Sequence, residues 1–275
     1  MKKNINYLVK MNDGNFIPQF GLGVYLAKRG RECRKAVRWA LETGYRHIDT
    51  ARSYENEKEV GEAIKDSSIK REEIFITTKL WNDDQGYEST LRAFDRSLKT
   101  LNTKYIDLYL IHWPVNDKRK ESWKALEKVY SSGYCHSIGV SNYMMNHLKE
   151  LFTYANIIPA LNQVEFSPYL YQKELLEFCT NNNILLGAYA PLTRVKKFFD
   201  PKLQSLSKRY NKTVAQILIR WAIEHELVVT PKTVHKKRII ENANVFDFSL
   251  DESDTEILDN MNEDFRACWN PMTQD

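Results

Sequence analysis

The sequence predicts an α/β protein, and within that class a (β/α)8 (TIM) barrel with an N-terminal β-hairpin and two extra helical segments at its C-terminal end. Three observations carry this expectation. Eight short β-rich runs recur along the 275 residues, amphipathic stretches lie between them, and nearly every run closes on a polar or aromatic side chain. Strands alternating with helical patterns argue for parallel pairing, since each crossover needs a helix-length connection. Eight such units suit a closed barrel, which commonly occupies about 250 residues as one unit. No low-complexity linker interrupts residues 1–275, so the chain reads as a single domain.

The elements follow in order. Residues 8–11 and 16–17 flank Asn12-Asp13-Gly14-Asn15, a hairpin-turn signal. Strand candidates run over 20–24, 46–49, 74–79, 106–112, 135–141, 160–163, 184–189 and 227–230. Between them the period changes: Leu91, Phe94, Leu98 and Leu101 follow helical spacing, as do Val214, Ile217, Leu218 and Trp221. Thr213 and Gln216 form a capping box, while Gly44 and Gly133 stand where helix C-caps fall. Helical stretches at 236–244 and 251–261 follow the eighth strand, and a short tail runs to Asp275.

Composition excludes several classes. Hydrophobic content of 43% and aromatic content of 12% suffice for a sizeable core. With 40 basic and 36 acidic residues the formal charge is only +4, too weak to imply a nucleic-acid partner. Basic clusters at Lys118-Arg119-Lys120, Arg194-Val195-Lys196-Lys197 and His235-Lys236-Lys237-Arg238 read as solvated loops and helix starts, the last excepted. Cys33, Cys135, Cys179 and Cys268 are widely spaced, which argues against a zinc ribbon or a disulfide scaffold. Asp13 and Gly14 arrive before any apolar leader develops, and no run approaches the ~20 apolar residues of a membrane span. A cytoplasmic protein is the expectation.

The strand ends carry the chemistry. Strand two closes on Asp49, strand three on Lys79 and strand four on His112, with Tyr54 five residues past Asp49. Strands five to eight give Ser141-Asn142, Asn162-Gln163, Tyr189 and Lys232. In a parallel barrel these carboxyl ends converge on one rim. Singly, Asp49 is a turn cap, Lys79 a lysine with its head in water, and His112 a core histidine. Together they suit carbonyl reduction, in which a hydride reaches carbon while a proton must reach oxygen. A phenol of ordinary pKa ~10 is a weak acid near neutrality. A neighbouring Lys79 ammonium is expected to lower that pKa, with Asp49 holding the lysine charged. Tyr54 is thus read as general acid, Lys79 and Asp49 as its tuning pair, and His112 as the group orienting the carbonyl.

These segments resemble the aldo-keto reductases almost end to end. The resemblance rests on Gly44-Tyr45-Arg46-His47-Ile48-Asp49-Thr50-Ala51 with Tyr54, and on Phe75-Ile76-Thr77-Thr78-Lys79-Leu80-Trp81-Asn82. It continues through Asp107-Leu108-Tyr109-Leu110-Ile111-His112-Trp113-Pro114, Ile138-Gly139-Val140-Ser141-Asn142, Asn162-Gln163-Val164-Glu165 and the stretch from Pro231-Lys232 to Asn242. The compact insert after Pro114 and the short tail are similar to small bacterial and protozoan members that reduce aldehydes, dicarbonyls or a prostaglandin endoperoxide. The resemblance implies NADPH laid across the rim without a Rossmann domain. The sequence agrees, since no Gly-x-Gly-x-x-Gly follows a strand candidate, and Gly21-Leu22-Gly23 reads as close packing in strand one. By the same resemblance Ser141, Asn142 and Gln163 hold the nicotinamide carboxamide and Tyr189 stacks on its ring. Leu192, Lys232, Thr233, Val234, Arg238, Glu241 and Asn242 serve the rest of the cofactor, with Arg238 and Lys232 suited to a 2′-phosphate. No metal is expected, the partner is a small carbonyl compound, and the family's common habit is a monomer.

The chain departs from that pattern in places. Thr193-Arg194-Val195-Lys196-Lys197 replaces a glycine-containing stretch, Ala190 a frequent serine, Ser167 a frequent histidine, and Arg52 a small residue beside Tyr54. Tyr25, in place of a frequent tryptophan, lines an aromatic pocket with Trp81 and Trp113, and Trp269 on the tail is a candidate lid. Rival readings fare worse. Short-chain dehydrogenases use Tyr-x-x-x-Lys, which Tyr54–Lys58 and Tyr169–Lys173 both fit, but they need a glycine-rich first turn. A metal-dependent hydrolase wants clustered ligands, and the six histidines include no His-x-His pair. A non-catalytic barrel that binds NADPH as a sensor is the alternative that keeps most of the observations.

Overall fold

The computed structural model describes residues 4–273; the basic start at 1–3 and the last two tail residues lie outside it. The hairpin signal holds: β1 (Leu8–Lys10) and β2 (Phe16–Pro18) pair antiparallel, with Asp13 Oδ1 accepting from Asn15 N at 3.0 Å inside the turn. Met11 and Ile17 at this hairpin pack on Phe75, Leu108, Leu161 and Val228. These sit toward the starts of their strands, so the hairpin packs at the end of the barrel opposite the carboxyl-end rim.

Eight parallel strands follow: β3 (Leu22–Gly23), β4 (His47–Asp49), β5 (Phe75–Leu80), β6 (Ile106–Ile111), β7 (Cys135–Ser141), β8 (Leu161–Glu165), β9 (Leu185–Tyr189) and β10 (Val228–Val229), paired in sequence order. The seam between β10 and β3 is stitched by bridges Phe20 to Val229 and Gly23 to Lys232. The expected runs 20–24 and 227–230 shrink to two paired residues each because this seam pairs only intermittently. Lys232 consequently lies beyond β10, although its bridge to Gly23 keeps it on the rim.

Helices α1 (Arg31–Thr43), α2 (Glu57–Lys65), α3 (Tyr87–Leu101), α4 (Arg119–Ser131), α5 (Met145–Phe152) and α6 (Lys173–Asn181) lie between successive strands from β3 to β9. Next come α7 (Pro201–Tyr210), α8 (Val214–Glu224), α9 (Lys236–Ala243) and α10 (Glu252–Asp259). The helical spacings hold: Phe94 and Leu101 of α3 and Val214, Ile217, Leu218 and Trp221 of α8 are buried. Thr213 and Gln216 form the capping box of α8, and Gly44 ends α1 with φ 107°. The α7 helix is absent from the sequence expectation, although its signal is local. Asp200 caps it by accepting from Lys202 N, with Pro201 at the first helical position. Among the described residues no helix is long and apolar enough to cross a membrane.

Close approach dictates glycine at several positions, Gly21 and Gly61 among them. A Cβ on Gly21 would lie 2.7 Å from the His47 ring, which fits the packing role expected of that glycine pair. A Cβ on Gly61 would lie 2.1 Å from the Leu101 carbonyl oxygen, where α2 crosses the end of α3. Helix propensity alone would make Gly61→Ala stabilising by ~1 kcal/mol. The backbone carbonyl cannot retreat without moving α3, so we expect the clash to prevail. Net destabilisation of about 1–3 kcal/mol should appear in urea denaturation.

Candidate active site at the barrel rim

Asp49 ends β4, and the ladder continues one residue as Thr50 N donates to Thr77 O at 2.9 Å. The chain then turns tightly, with Tyr54 N donating to Ala51 O at 3.0 Å, which brings the phenol back over the strand end. Asn56, not among the residues expected from sequence, fixes this turn. Its Oδ1 accepts from Thr50 Oγ1 at 2.8 Å, and its Nδ2 donates to Val24 O and Ala27 O at 2.9 and 3.2 Å. Its one sequence signal is an Asn directly before a helix start.

Lys79 projects inward from β5 and is fully buried. Its Nζ donates to Asp49 Oδ1 at 2.6 Å, to Thr50 O at 2.9 Å and to Tyr54 Oη at 3.5 Å. An ammonium has three protons and no lone pair, so these three acceptors account for all of them. Gln163 Nε2 donates to the other Asp49 oxygen at 2.8 Å. His112 directly follows β6, edge-on to Tyr54 with ring centroids 5.6 Å apart and to Trp81 at 5.3 Å. Asp49, Tyr54, Lys79 and His112 therefore do converge, as their strand-end positions implied.

The electrostatics correct one expectation. The Tyr54 phenol is pushed well above its ordinary value, not below it; burial is the main cause and the Asp49 charge the next. Lys79 does not offset this because its charge is neutralised at 2.6 Å by Asp49, nearer than the phenol at 3.5 Å. Burial also lowers Lys79 itself, against the pull of Asp49. His112 is held well below the usual imidazole range by burial and then by Lys79, so its ring is neutral near pH 7.

The residues expected around a nicotinamide lie beside this cluster. Tyr189 Oη donates to Asn142 Oδ1 at 2.8 Å, Asn142 Nδ2 to His112 O at 3.0 Å, and Ser141 Oγ to Gln163 O at 2.8 Å. Asn142 adopts φ 66°, a left-handed conformation that Asn tolerates better than most residues. Further round the rim, Thr233 is buried, Val234 and Leu192 pack against the core, and Lys232 and Arg238 are exposed near the start of α9. Glu241 Oε1 accepts from Thr213 Oγ1 at 2.9 Å, and Asn242 is buried. Amide and hydroxyl groups at Asn142 and its neighbours, and cationic groups at Lys232 and Arg238, are a donor set that fits an extended, anionic dinucleotide.

Tyr25 packs on Tyr54 at 5.0 Å, and Trp113 meets Trp269 of the tail at 6.0 Å. Glu165 holds that tail, its two oxygens accepting from Ala267 N at 2.6 Å and Cys268 N at 3.1 Å. In the atypical stretch Thr193, Arg194 and Val195 all have positive φ, at 49°, 50° and 69°. Lys197 pairs with Glu263 and lies 4.5 Å from the Phe265 ring, which ties this loop to the tail. Arg52 is half-buried, and its charge acts on the buried Glu57, not only on solvent.

The sequence model of the Aldo/keto reductase family matches residues 21–263. The chain is 47% identical to a glyoxal reductase of Bacillus subtilis over 271 residues, covering 98% of each protein. An aldo-keto reductase from a Medee basin deep-sea metagenome superposes with TM-score 0.94 at 46% identity, over 98% of this chain and all of that one (100%). A Bombyx mori aldo-keto reductase solved in complex with NADP superposes with TM-score 0.90 at 36% identity, over 97% of this chain and 96% of that one. The chain belongs to the aldo/keto reductase family.

The buried ion pair is open to a direct test. Lys79→Met leaves the Asp49 charge buried without its partner, and should cost about 3–5 kcal/mol in urea denaturation. Adding Asp49→Asn removes the stranded charge and should recover most of that loss. A double variant as unstable as the single one would mean that charge is not what Lys79 contributes.

Proposed function

We propose that this protein reduces aldehydes and ketones to alcohols, taking the hydride from NADPH and the proton from Tyr54. When bound, the dihydronicotinamide supplies the hydride. The observation that carries the reading is the saturation of Lys79. Because the ammonium has only donors, the phenol oxygen accepts from it, and the Tyr54 proton must point elsewhere. The rings of Tyr25 and His112 pack against that of Tyr54. The raised pKa of Tyr54 is compatible with this role, because an alkoxide formed by hydride addition is a stronger base than a phenolate and draws the proton away. The neutral His112 is suited to hydrogen-bonding the carbonyl oxygen.

The remaining residues position the reactants. Asn142, Ser141 and Gln163 offer amide and hydroxyl groups to a carboxamide, and Tyr189 offers a ring face. Arg238 and Lys232 offer a guanidinium fork and an ammonium to a 2′-phosphate. The Bombyx mori relative's bound NADP supports this cofactor, and the Bacillus subtilis relative's name supports small dicarbonyl compounds as substrates.

Turnover is measured by NADPH absorbance with methylglyoxal, a nitrobenzaldehyde or phenanthrenequinone. Wild type should turn over, and Tyr54→Phe should lose at least about 10²-fold in kcat with NADPH still bound. Full activity in Tyr54→Phe would remove the proposed acid, while NADPH binding without turnover on any carbonyl compound would favour a sensor. Arg238→Ala should weaken NADPH by about 10- to 100-fold, the range of a lost charge-assisted hydrogen bond, and NADH far less. Equal losses for both cofactors would refute the 2′-phosphate role.

A further inference from the structure

A neutral imidazole carries one proton, and either ring nitrogen can hold it. A carbonyl-reducing site needs that proton on the nitrogen facing the substrate, and nothing in the ring itself makes the choice. The residue just before Tyr54 bears on it: Ser53 Oγ lies 3.4 Å from His112 Nδ1. Among the described residues no other side chain hydrogen-bonds the ring, and no other partner is found for the Ser53 hydroxyl. The distance is long for such a bond, as is common in ligand-free sites, where hydrogen bonds tighten on substrate binding.

The two possible directions of this bond have different consequences. If Nδ1–H donated to Ser53, Nε2 would present a lone pair on the other side of the ring. Tyr54 lies edge-on to that ring, and its proton is directed away from Lys79. A bare Nε2 would compete with the substrate for that proton. If Ser53 donates instead, the hydroxyl proton and the Nδ1 lone pair satisfy one another. Nε2–H is then a second donor beside Tyr54, and a carbonyl oxygen has two lone pairs to receive both.

We propose that Ser53 is a positioning residue whose hydroxyl donates to His112 Nδ1, fixing the ring as the Nε2–H tautomer that orients the substrate carbonyl. This role rests on the reading of the rim as a carbonyl reductase. Burial and the Lys79 charge keep the ring neutral, so the tautomer is a choice between two forms of one charge state.

The tautomer can be read directly. Protein labelled with 15N-histidine is studied by two-bond 1H–15N correlation, the His112 signals being those absent from His112→Gln. Wild type should show a pyridine-like Nδ1 and a protonated Nε2. In Ser53→Ala both signals should move toward a mixture, and kcat should fall about two- to tenfold, the value of one hydrogen bond. NADPH affinity and melting temperature should stay as in wild type, and Ser53→Thr should restore both the spectrum and kcat. A protonated Nδ1 in wild type, or a tautomer unchanged in Ser53→Ala, overturns the proposal whatever the activity. A Ser53-dependent tautomer in a protein that turns over no carbonyl compound keeps the contact and overturns the reading of the site.

Discussion

A fully buried ammonium is the constraint around which the rim is built. Taking Lys79 out of water is tolerable only if each of its protons meets an acceptor, and three different groups supply them: the Asp49 carboxylate at the end of β4, the Thr50 carbonyl and the Tyr54 phenol. Those bonds fix the lysine and in turn orient the phenol hydroxyl, because an oxygen that accepts from Lys79 must send its own proton outward. Gln163 extends the network across the barrel by holding the second Asp49 oxygen, so β4, β5 and β8 share one polar lattice. The pair acts on the phenol through hydrogen-bond direction more than through net charge. The ammonium and carboxylate cancel at close range, and burial then dominates the phenol's acidity.

The barrel makes this arrangement possible by separating its two ends. The hairpin fills the bottom with Met11 and Ile17, and the seam between β10 and β3 is closed by intermittent bridges. At the opposite end lies the rim, where the turn carrying Tyr54 is held by Asn56 against the loop after β3. The proposed acid thus sits on a turn braced from two sides, so its placement depends little on the flexibility that loops usually have.

The upper wall is assembled from distant chain segments. Trp113 follows β6, whereas Trp269 arrives on the tail, clamped by the Glu165 carboxylate at the end of β8. The left-handed run at 193–195 is joined to the same tail through Lys197, Glu263 and Phe265. The segment expected to close over the cofactor and the segment expected to shape the substrate pocket are therefore mechanically linked.

Most of the fold is legible in the sequence because hydrophobic period and cap chemistry are local. The alternation of runs locates the strands, the Thr213 and Gln216 pair marks the start of α8, and Asn12-Asp13-Gly14-Asn15 marks the hairpin. The Asp200-Pro201 start of α7 is equally local, although the periodicity around it drew no helix. Residue types at strand ends also foretell that Asp49, Tyr54, Lys79 and His112 meet, since a parallel barrel maps strand ends onto one ring. Sequence cannot give the order of distances within that ring. That Asp49 stands nearer to Lys79 than Tyr54 does, that Asn56 braces the turn, and that Ser53 faces Nδ1 of His112 are all matters of a few ångströms. Local pattern sets which groups reach the rim; only the packed barrel sets their separations, and hydrogen bonding and charge neutralisation change character over those same few ångströms.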